Sequence, residues 1–163
     1  MSRYLDVLRK YRENRGLMAD LRCILVSSKR HRAWPALSQL GIDIRDEIHT
    51  YVAGLFATHP EETPDGNFGY TCRLVESRRG EKRSTDDRVT PTERRFQQLL
   101  SSESGSELYQ RVLRFVLMAK AQGIPINYER LATDLGHWGE RTKAEWAGAF
   151  WVPDAVPIAG DEI

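Results

Sequence analysis

The side chains best suited to chemistry in this sequence are arginines placed on predicted helix faces. Arginine supplies 19 and lysine 5 of the 24 basic residues. The planar guanidinium binds a phosphate through two parallel hydrogen bonds and also stacks on a base, whereas the lysine ammonium is a hydrated point charge. The excess of arginine therefore favours contact with a phosphate backbone, although exposed helical arginines also occur without any ligand.

Two pairs of these arginines lie on predicted helices in the second half of the chain. If Phe96 marks the centre of a buried face, Arg94 lies about 200° away on the solvent side and Arg95 about 100° away on the flank. Arg111 and Arg114 are three residues apart and therefore share a face of the next helix. These four arginines are the first candidates for nucleic-acid binding.

A second basic group lies near the N-terminus. Arg22 is on the flank of a predicted helix, and Lys29, Arg30 and Arg32 cluster just past the end of that helix. The same preference of basic side chains for phosphate applies here. We treat these four residues as secondary candidates for nucleic-acid binding.

Catalytic and metal-binding motifs are absent from the sequence. The four histidines are scattered, with no HExxH motif and no cysteine–histidine pairs at zinc spacing. There is no GxxxxGK[ST] phosphate loop and no GxSxG nucleophile elbow. We therefore predict that the protein is not an enzyme and has no catalytic residues, no metal site and no cofactor.

Composition narrows the class of protein further. Hydrophobic residues make up 40% and charged residues 29% of the chain, which is typical of a globular domain rather than a disordered chain. No apolar run approaches the ~18 residues of a membrane span, and the N-terminus lacks a signal-peptide core. Cys23 and Cys72 are isolated. We expect a cytoplasmic protein with reduced thiols and no membrane contact.

Helices must position the candidate residues, because the dominant hydrophobic period is helical and no stretch alternates as a strand does. We predict an all-α fold of two small bundles, residues 1–80 and 90–152. A polar linker over 81–89 joins them, and a flexible acidic tail follows over 153–163. The segment 81–88 has no apolar side chain, so it cannot contribute to a core.

Local signals predict several helix ends. Capping boxes at Thr90-Pro91-Thr92-Glu93 and Ser104-Gly105-Ser106-Glu107 each predict a helix start. Asp43 is the predicted N-cap of the most apolar helix, and Asn127 is the predicted N-cap of a later one. Gly123 is predicted to end the helix before Asn127.

Three of the four tryptophans occur at helical spacing near the C-terminus. They are Trp138, Trp146 and Trp151. Large aromatic side chains at such spacing most often fill a core or a subunit interface. We therefore expect these tryptophans to be packed rather than to stack on nucleic-acid bases.

The small net charge of +1 is the sum of opposed blocks. Residues 1–32 carry nine basic and three acidic groups, a balance of +6. Residues 121–163 carry three basic and seven acidic groups, a balance of −4. A neutral total is therefore compatible with a local basic groove, and it would limit binding to nucleic acid outside a complex.

The order of motifs in the second half resembles a known family. The matching motifs, in chain order, are Glu93-Arg94-Arg95-Phe96, Leu99-Leu100, the run 108–120, Asn127-Tyr128-Glu129-Arg130-Leu131 and Trp138-Gly139. Together they are similar to the CasB family, the small subunit of the type I-E CRISPR surveillance complex called Cascade. The resemblance covers roughly residues 5–151. One departure is Tyr70 directly after Gly69, where members of the family often have arginine.

This resemblance implies a non-catalytic subunit of an antiviral CRISPR interference complex. The implied partners are guide RNA, target DNA with its displaced strand, the guide-backbone protein, the large subunit and a second copy of the chain. Its basic faces would hold the R-loop without reading sequence, because guide pairing supplies the specificity. The contact with DNA is assigned, by resemblance, to Arg94, Arg95, Arg111 and Arg114, which lie in the matching helices.

Two other functions stay open at this point. A helical scaffold that binds only proteins would also explain the near-zero net charge, and Glu107 would then pair with Arg111 four residues later. Arginines that mostly pair with acidic neighbours would favour this alternative. A helix-turn-helix regulator fits less well, because the helix over 128–138 is too acidic for a recognition helix.

Overall fold

The computed structural model describes residues 2–81 and 88–152 of the chain. These residues form nine α-helices, two 3₁₀ helices and one isolated bridge between Glu62 and Ile126. The helices are α1 Arg3–Lys10, α2 Arg15–Arg22, η1 Cys23–Leu25, η2 Ser27–Ala33, α3 Trp34–Gln39, α4 Glu47–Thr58, α5 Phe68–Arg78, α6 Pro91–Leu100, α7 Ser106–Gln122, α8 Tyr128–Gly136 and α9 Glu140–Trp151. The predicted all-α class is confirmed. Most of the predicted linker (82–87) and the predicted acidic tail (153–163) lie outside the described residues.

The chain divides into two compact units, Met1–Glu61 and Glu62–Ile163. This boundary differs from the predicted one near residue 80, because α5 packs against α9 and α7 in the second unit rather than against the N-terminal helices. At the closest approach, a Cβ atom on Gly69 would overlap the carbonyl of Trp146. The polar run after α5 made it look like the end of a bundle, but polarity along the chain does not report which helices pack together.

In the first unit, α4 is the central helix. Residues 50–58 are all buried, and α1, α2 and η1 pack against this helix. The helix begins at Glu47, and the Asp46 side chain caps it by accepting a hydrogen bond from the His49 amide at 2.9 Å. The prediction that Asp43 is the N-cap of this helix is wrong. The Asp43 carboxylate instead accepts the Arg45 amide at 2.9 Å, closing a turn before the helix.

In the second unit, aromatic rings form the core. Phe96 stacks on Phe150 with ring centroids 4.3 Å apart, and it meets Phe115 edge to face at 6.5 Å. Phe68 lies between Phe115 and Trp146. All five side chains are at most 2% exposed. Burial of several large rings at one point joins α5, α6, α7 and α9 by the hydrophobic effect.

Most of the helix starts and ends predicted for the second unit are confirmed. Thr90 caps α6 and Asn127 caps α8, and Gly123 ends α7 in the left-handed conformation with φ 70°. The predicted capping box at Ser104 is wrong. The N-cap of α7 is Gly105, with φ 124° and no side-chain hydrogen bond, because the chain enters the helix through a backbone conformation that favours glycine.

The C-terminal tryptophans use their N–H groups inside the second unit. Trp146 is fully buried and donates to Asp134 at 2.7 Å, and Trp151 donates to Glu93 at 3.0 Å. Burial raises the pKa of Asp134 above its usual value, although hydrogen bonds from Trp146 and Arg130 oppose that effect. The packed role predicted for these tryptophans is confirmed.

No helix within 2–81 and 88–152 is long and apolar enough to cross a membrane.

Candidate nucleic-acid interface

The start of α6 is fixed by side chains on both sides of residues 82–87. The Thr90 hydroxyl accepts the Glu93 amide at 2.9 Å and donates to the Glu76 carboxylate on α5 at 2.7 Å. Pro91 occupies the first helical position, where its missing N–H costs nothing. The first turn of α6 is therefore held against α5.

Glu81 also holds the first turn of α6 in place through hydrogen bonds. Its carboxylate accepts the amide of Thr92 at 3.0 Å and the Thr92 hydroxyl at 2.7 Å, and it pairs with Arg79 at 2.7 Å. Burial alone would raise the pKa of Glu81, but these hydrogen bonds outweigh it and leave the pKa below its usual value. A carboxylate at a helix N-terminus also interacts favourably with the helix dipole.

The buried face of α6 sets the direction of its arginines. Phe96 and Leu99 are fully buried, so the opposite side of the helix faces solvent. Arg94 is exposed and Arg95 is half-buried, as their angular positions predict. The spacing of the apolar residues in α6 therefore determines which of its side chains face the core and which face solvent.

Three of the four predicted arginines come together around one shallow pocket. Arg94, Arg95 and Arg114 line an open pocket of about 330 Å³, with Val89, Pro91 and Gln98 as the other lining residues. Within the described part of the chain, these three arginine side chains have no hydrogen bond or ion pair. Among residues 2–81 and 88–152, no acidic residue lines the pocket. Three cations at one concave surface make a local positive potential that suits an anionic ligand.

Arg111, the fourth arginine, has a different environment. Its guanidinium donates to the Gln98 carbonyl at 2.6 Å and to the Ser102 hydroxyl at 2.9 Å, and it pairs with Glu107 at 3.4 Å. It therefore closes the C-terminal end of α6 against α7. The spacing of Arg111 and Arg114 predicts that they share a helix face; Arg114 lines the pocket, whereas the Arg111 guanidinium is held by Gln98, Ser102 and Glu107 and is not part of the lining.

The secondary candidates lie in the first unit, on α2 and η2. Arg22 is half-buried, and Lys29, Arg30 and Arg32 are exposed. The Arg30 guanidinium donates to the Ile24 carbonyl at 3.2 Å, which ties η2 to η1. Each unit thus carries its own basic group.

The other lining residues of the pocket carry no clear signal in the sequence. Gln98 is four residues after Arg94, so helical spacing placed it on the same face, but its uncharged amide gave no signal. Val89 precedes α6 and Pro91 is its first residue, and nothing in the sequence indicates that they line one pocket. Residues 2–81 and 88–152 contain no group of three metal-ligating side chains arranged to hold an ion.

Comparisons with known proteins agree with this fold. Residues 17–151 match the family model described as CRISPR-associated protein Cse2. The crystal structure of CasB from Thermus thermophilus is similar, with a TM-score of 0.69 and 21% identity over 92% of this chain and 96% of that one. CasB from M. ruber has a TM-score of 0.66 and 20% identity over 93% of each chain. No curated protein sequence matches. Because the family model spans most of its length, the chain belongs to the Cse2 (CasB) family of CRISPR-associated proteins, a subunit of the Cascade complex.

Proposed function

We propose that this chain is a non-catalytic Cascade subunit that binds the nucleic-acid backbone without reading sequence. The subunit would thereby stabilise the R-loop, and chiefly its displaced DNA strand, during CRISPR interference. The observation that carries the proposal is the pocket lined by Arg94, Arg95 and Arg114. We refer to it as the arginine pocket.

Charge and geometry support phosphate as the ligand of the arginine pocket. A guanidinium presents a planar fork of donors that matches two oxygens of a phosphate group. The three side chains carry no internal ion pair within the described residues, so an incoming phosphate need not displace a carboxylate. The charged side chains of the lining among the described residues are all arginines, and contacts with phosphate oxygens carry no sequence information, which agrees with recognition by charge.

A scaffold without nucleic-acid contact is the second candidate, and the ion pairs elsewhere on the surface favour it. Several arginines are paired with acidic neighbours, for example Arg45 with Asp43 at 3.4 Å and Arg141 with Glu145 at 3.7 Å. Such pairs are typical of a solvated helical surface. The arginine pocket does not follow that pattern, and it therefore supports the nucleic-acid function over the scaffold.

The test is R-loop stability in a reconstituted Cascade complex. We expect the triple variant R94A/R95A/R114A to shorten the lifetime of the R-loop while the complex still assembles. The matched control is R12A/R45A/R141A, which also removes three positive charges. Its arginines lie beside acidic residues, namely Glu13, Asp43 and Glu145.

The control separates a local effect from a general loss of charge. If both triple variants shorten the R-loop lifetime equally, the arginine pocket has no special role. If neither does, and assembly with the other subunits is also intact, the proposed contact with the displaced strand is wrong.

A further inference from the structure

We propose that Trp34 is a stacking platform for one base of a single-stranded nucleic acid. The Lys29 and Arg32 side chains would hold the adjoining phosphates. This inference rests on the proposed function and adds a second contact, in the first unit. Stacking on aromatic side chains accepts every base and is a common way to bind single strands without sequence preference.

The exposure of Trp34 is the first observation. The Trp34 side chain, in the first unit, is 46% exposed. By contrast, Trp146 and Trp151 in the second unit donate hydrogen bonds to Asp134 and Glu93 within that unit. Within the described residues, the one ring contact of Trp34 is a T-shaped one with His31, at a centroid distance of 6.4 Å. No ring of the described residues therefore stacks on the indole, and nearly half of the side chain is left to solvent.

The 3₁₀ geometry of η2 arranges the neighbouring side chains in rows. With about 3.0 residues per turn, residues three apart lie directly above one another. Arg30 and Ala33 form one row, which is tied to the rest of the unit: Ala33 is fully buried, and the exposed Arg30 donates to the Ile24 carbonyl. The two remaining rows face solvent.

One outward row carries cations and the next carries aromatic rings. Lys29 and Arg32 form the first, and both are exposed without a hydrogen bond or ion pair among the described residues. His31 and Trp34 form the second, since Trp34 directly continues η2 into α3. A strand that lies along η2 therefore meets phosphate-binding groups on one side and a stacking surface on the other.

Charge along the chain identifies the ligand as an anion. Residues 21–42 contain four basic and no acidic side chains, and the nearest acids in sequence are Asp20 and Asp43. A protein partner covering an exposed tryptophan does not require such an imbalance, whereas a polyanion does. We therefore favour nucleic acid over a protein partner for this surface.

Binding of the full-length chain to a fluorescent oligothymidylate, measured by anisotropy at low salt, tests the proposal. We expect W34A to weaken binding roughly five- to 150-fold, the range typical of one lost stacking contact. W34F should restore most of the affinity. The matched control is I44A, which removes a side chain of similar exposure (37%) that lies beside Asp43 and Asp46.

A strand of the same length made of abasic sites separates stacking from folding. It keeps the phosphates and lacks the bases, so W34A should bind it as tightly as the wild type does. Equal weakening on both strands would overturn the proposal, as would unchanged binding of oligothymidylate by W34A. If unchanged binding is combined with weaker assembly into Cascade, the surface is a protein contact.

The same binding experiment distinguishes a failure of stacking at Trp34 from a failure of the proposed function. If R94A/R95A/R114A weakens binding to oligothymidylate and W34A does not, stacking at Trp34 is wrong and the arginine pocket stands. If the wild-type chain does not bind the strand at all, stacking at Trp34 is wrong, whereas the arginine pocket is judged by the R-loop lifetime in the reconstituted Cascade complex.

Discussion

Replacing Arg111 by alanine distinguishes a structural arginine from a binding one. The substitution removes two hydrogen bonds, to the Gln98 carbonyl at 2.6 Å and to the Ser102 hydroxyl at 2.9 Å. It also removes the ion pair with Glu107. The two hydrogen bonds join the end of α6 and the residues after it to α7, and the ion pair lies within α7, so we expect the loss to appear in the stability of the fold.

The magnitude follows from the exposure of the groups. A hydrogen bond from a charged donor contributes about 1.5–3 kcal/mol, and the Arg111 side chain is 33% exposed, so we assign about 2 kcal/mol to both bonds together. The Glu107 side chain is 61% exposed, so the ion pair adds at most about 0.5 kcal/mol. For a chain of this size, 1 kcal/mol shifts Tm by about 2–4 °C, so a loss of about 2–2.5 kcal/mol in R111A should lower Tm by about 4–10 °C.

R114A provides the comparison, because Arg114 lies on the same helix without a partner in the described residues. We expect its effect on the free energy of unfolding to stay within about 0.5 kcal/mol. Thermal unfolding by circular dichroism and binding of a labelled single strand over a range of salt should be measured on both variants. If R111A leaves Tm unchanged and lowers the salt dependence as much as R114A does, Arg111 is a binding residue and its structural role is refuted.

Two further changes test how the arginine-bearing unit is held together. The pKa of Glu81 lies below its usual 4.5 in the folded chain, so its carboxylate stabilises the fold above that pH and loses this effect as the pH falls through the folded-state pKa. E81Q should therefore lower Tm at neutral pH, and its difference from the wild type should shrink below about pH 4.5; a constant difference would contradict the role given to the charge. G69A should destabilise the fold by about 1–3 kcal/mol in urea unfolding, because its Cβ would overlap the backbone of Trp146. G148A, in open space on α9, should be neutral or stabilising by up to about 1 kcal/mol, and equal effects of the two glycine variants would refute the close approach.

Sequence predicts those features of this fold that depend on neighbours along the chain. The cap at Thr90 and the rotation of α6 both follow from residues within one or two turns. The position of Phe96 alone was enough to place Arg94 toward solvent and Arg95 on the flank. Local hydrogen bonds and the helical period determine such features, so they can be read without a structure.

Features set by tertiary contacts could not be predicted in this way. Arg111 and Arg114 lie on the same helix three residues apart, but the Gln98 carbonyl near the end of α6 accepts a hydrogen bond from Arg111, whereas Arg114 lines the pocket. The unit boundary depends on α5 packing on α9, about seventy residues later in the chain. Asp43 and Asp46 are both suitable caps, and the choice between them depends on where α4 can begin to bury its apolar side chains.

The salt dependence of single-strand binding tests the central claim most directly. Each phosphate contact with a single strand contributes about 0.7 to the slope of log K against log salt, so three arginines contribute about 2. The account predicts that R94A/R95A/R114A binds oligothymidylate with a slope smaller by about 2 than the wild type, while R12A/R45A/R141A keeps the wild-type slope. A triple pocket variant with an unchanged slope would contradict the claim that these arginines bind phosphate.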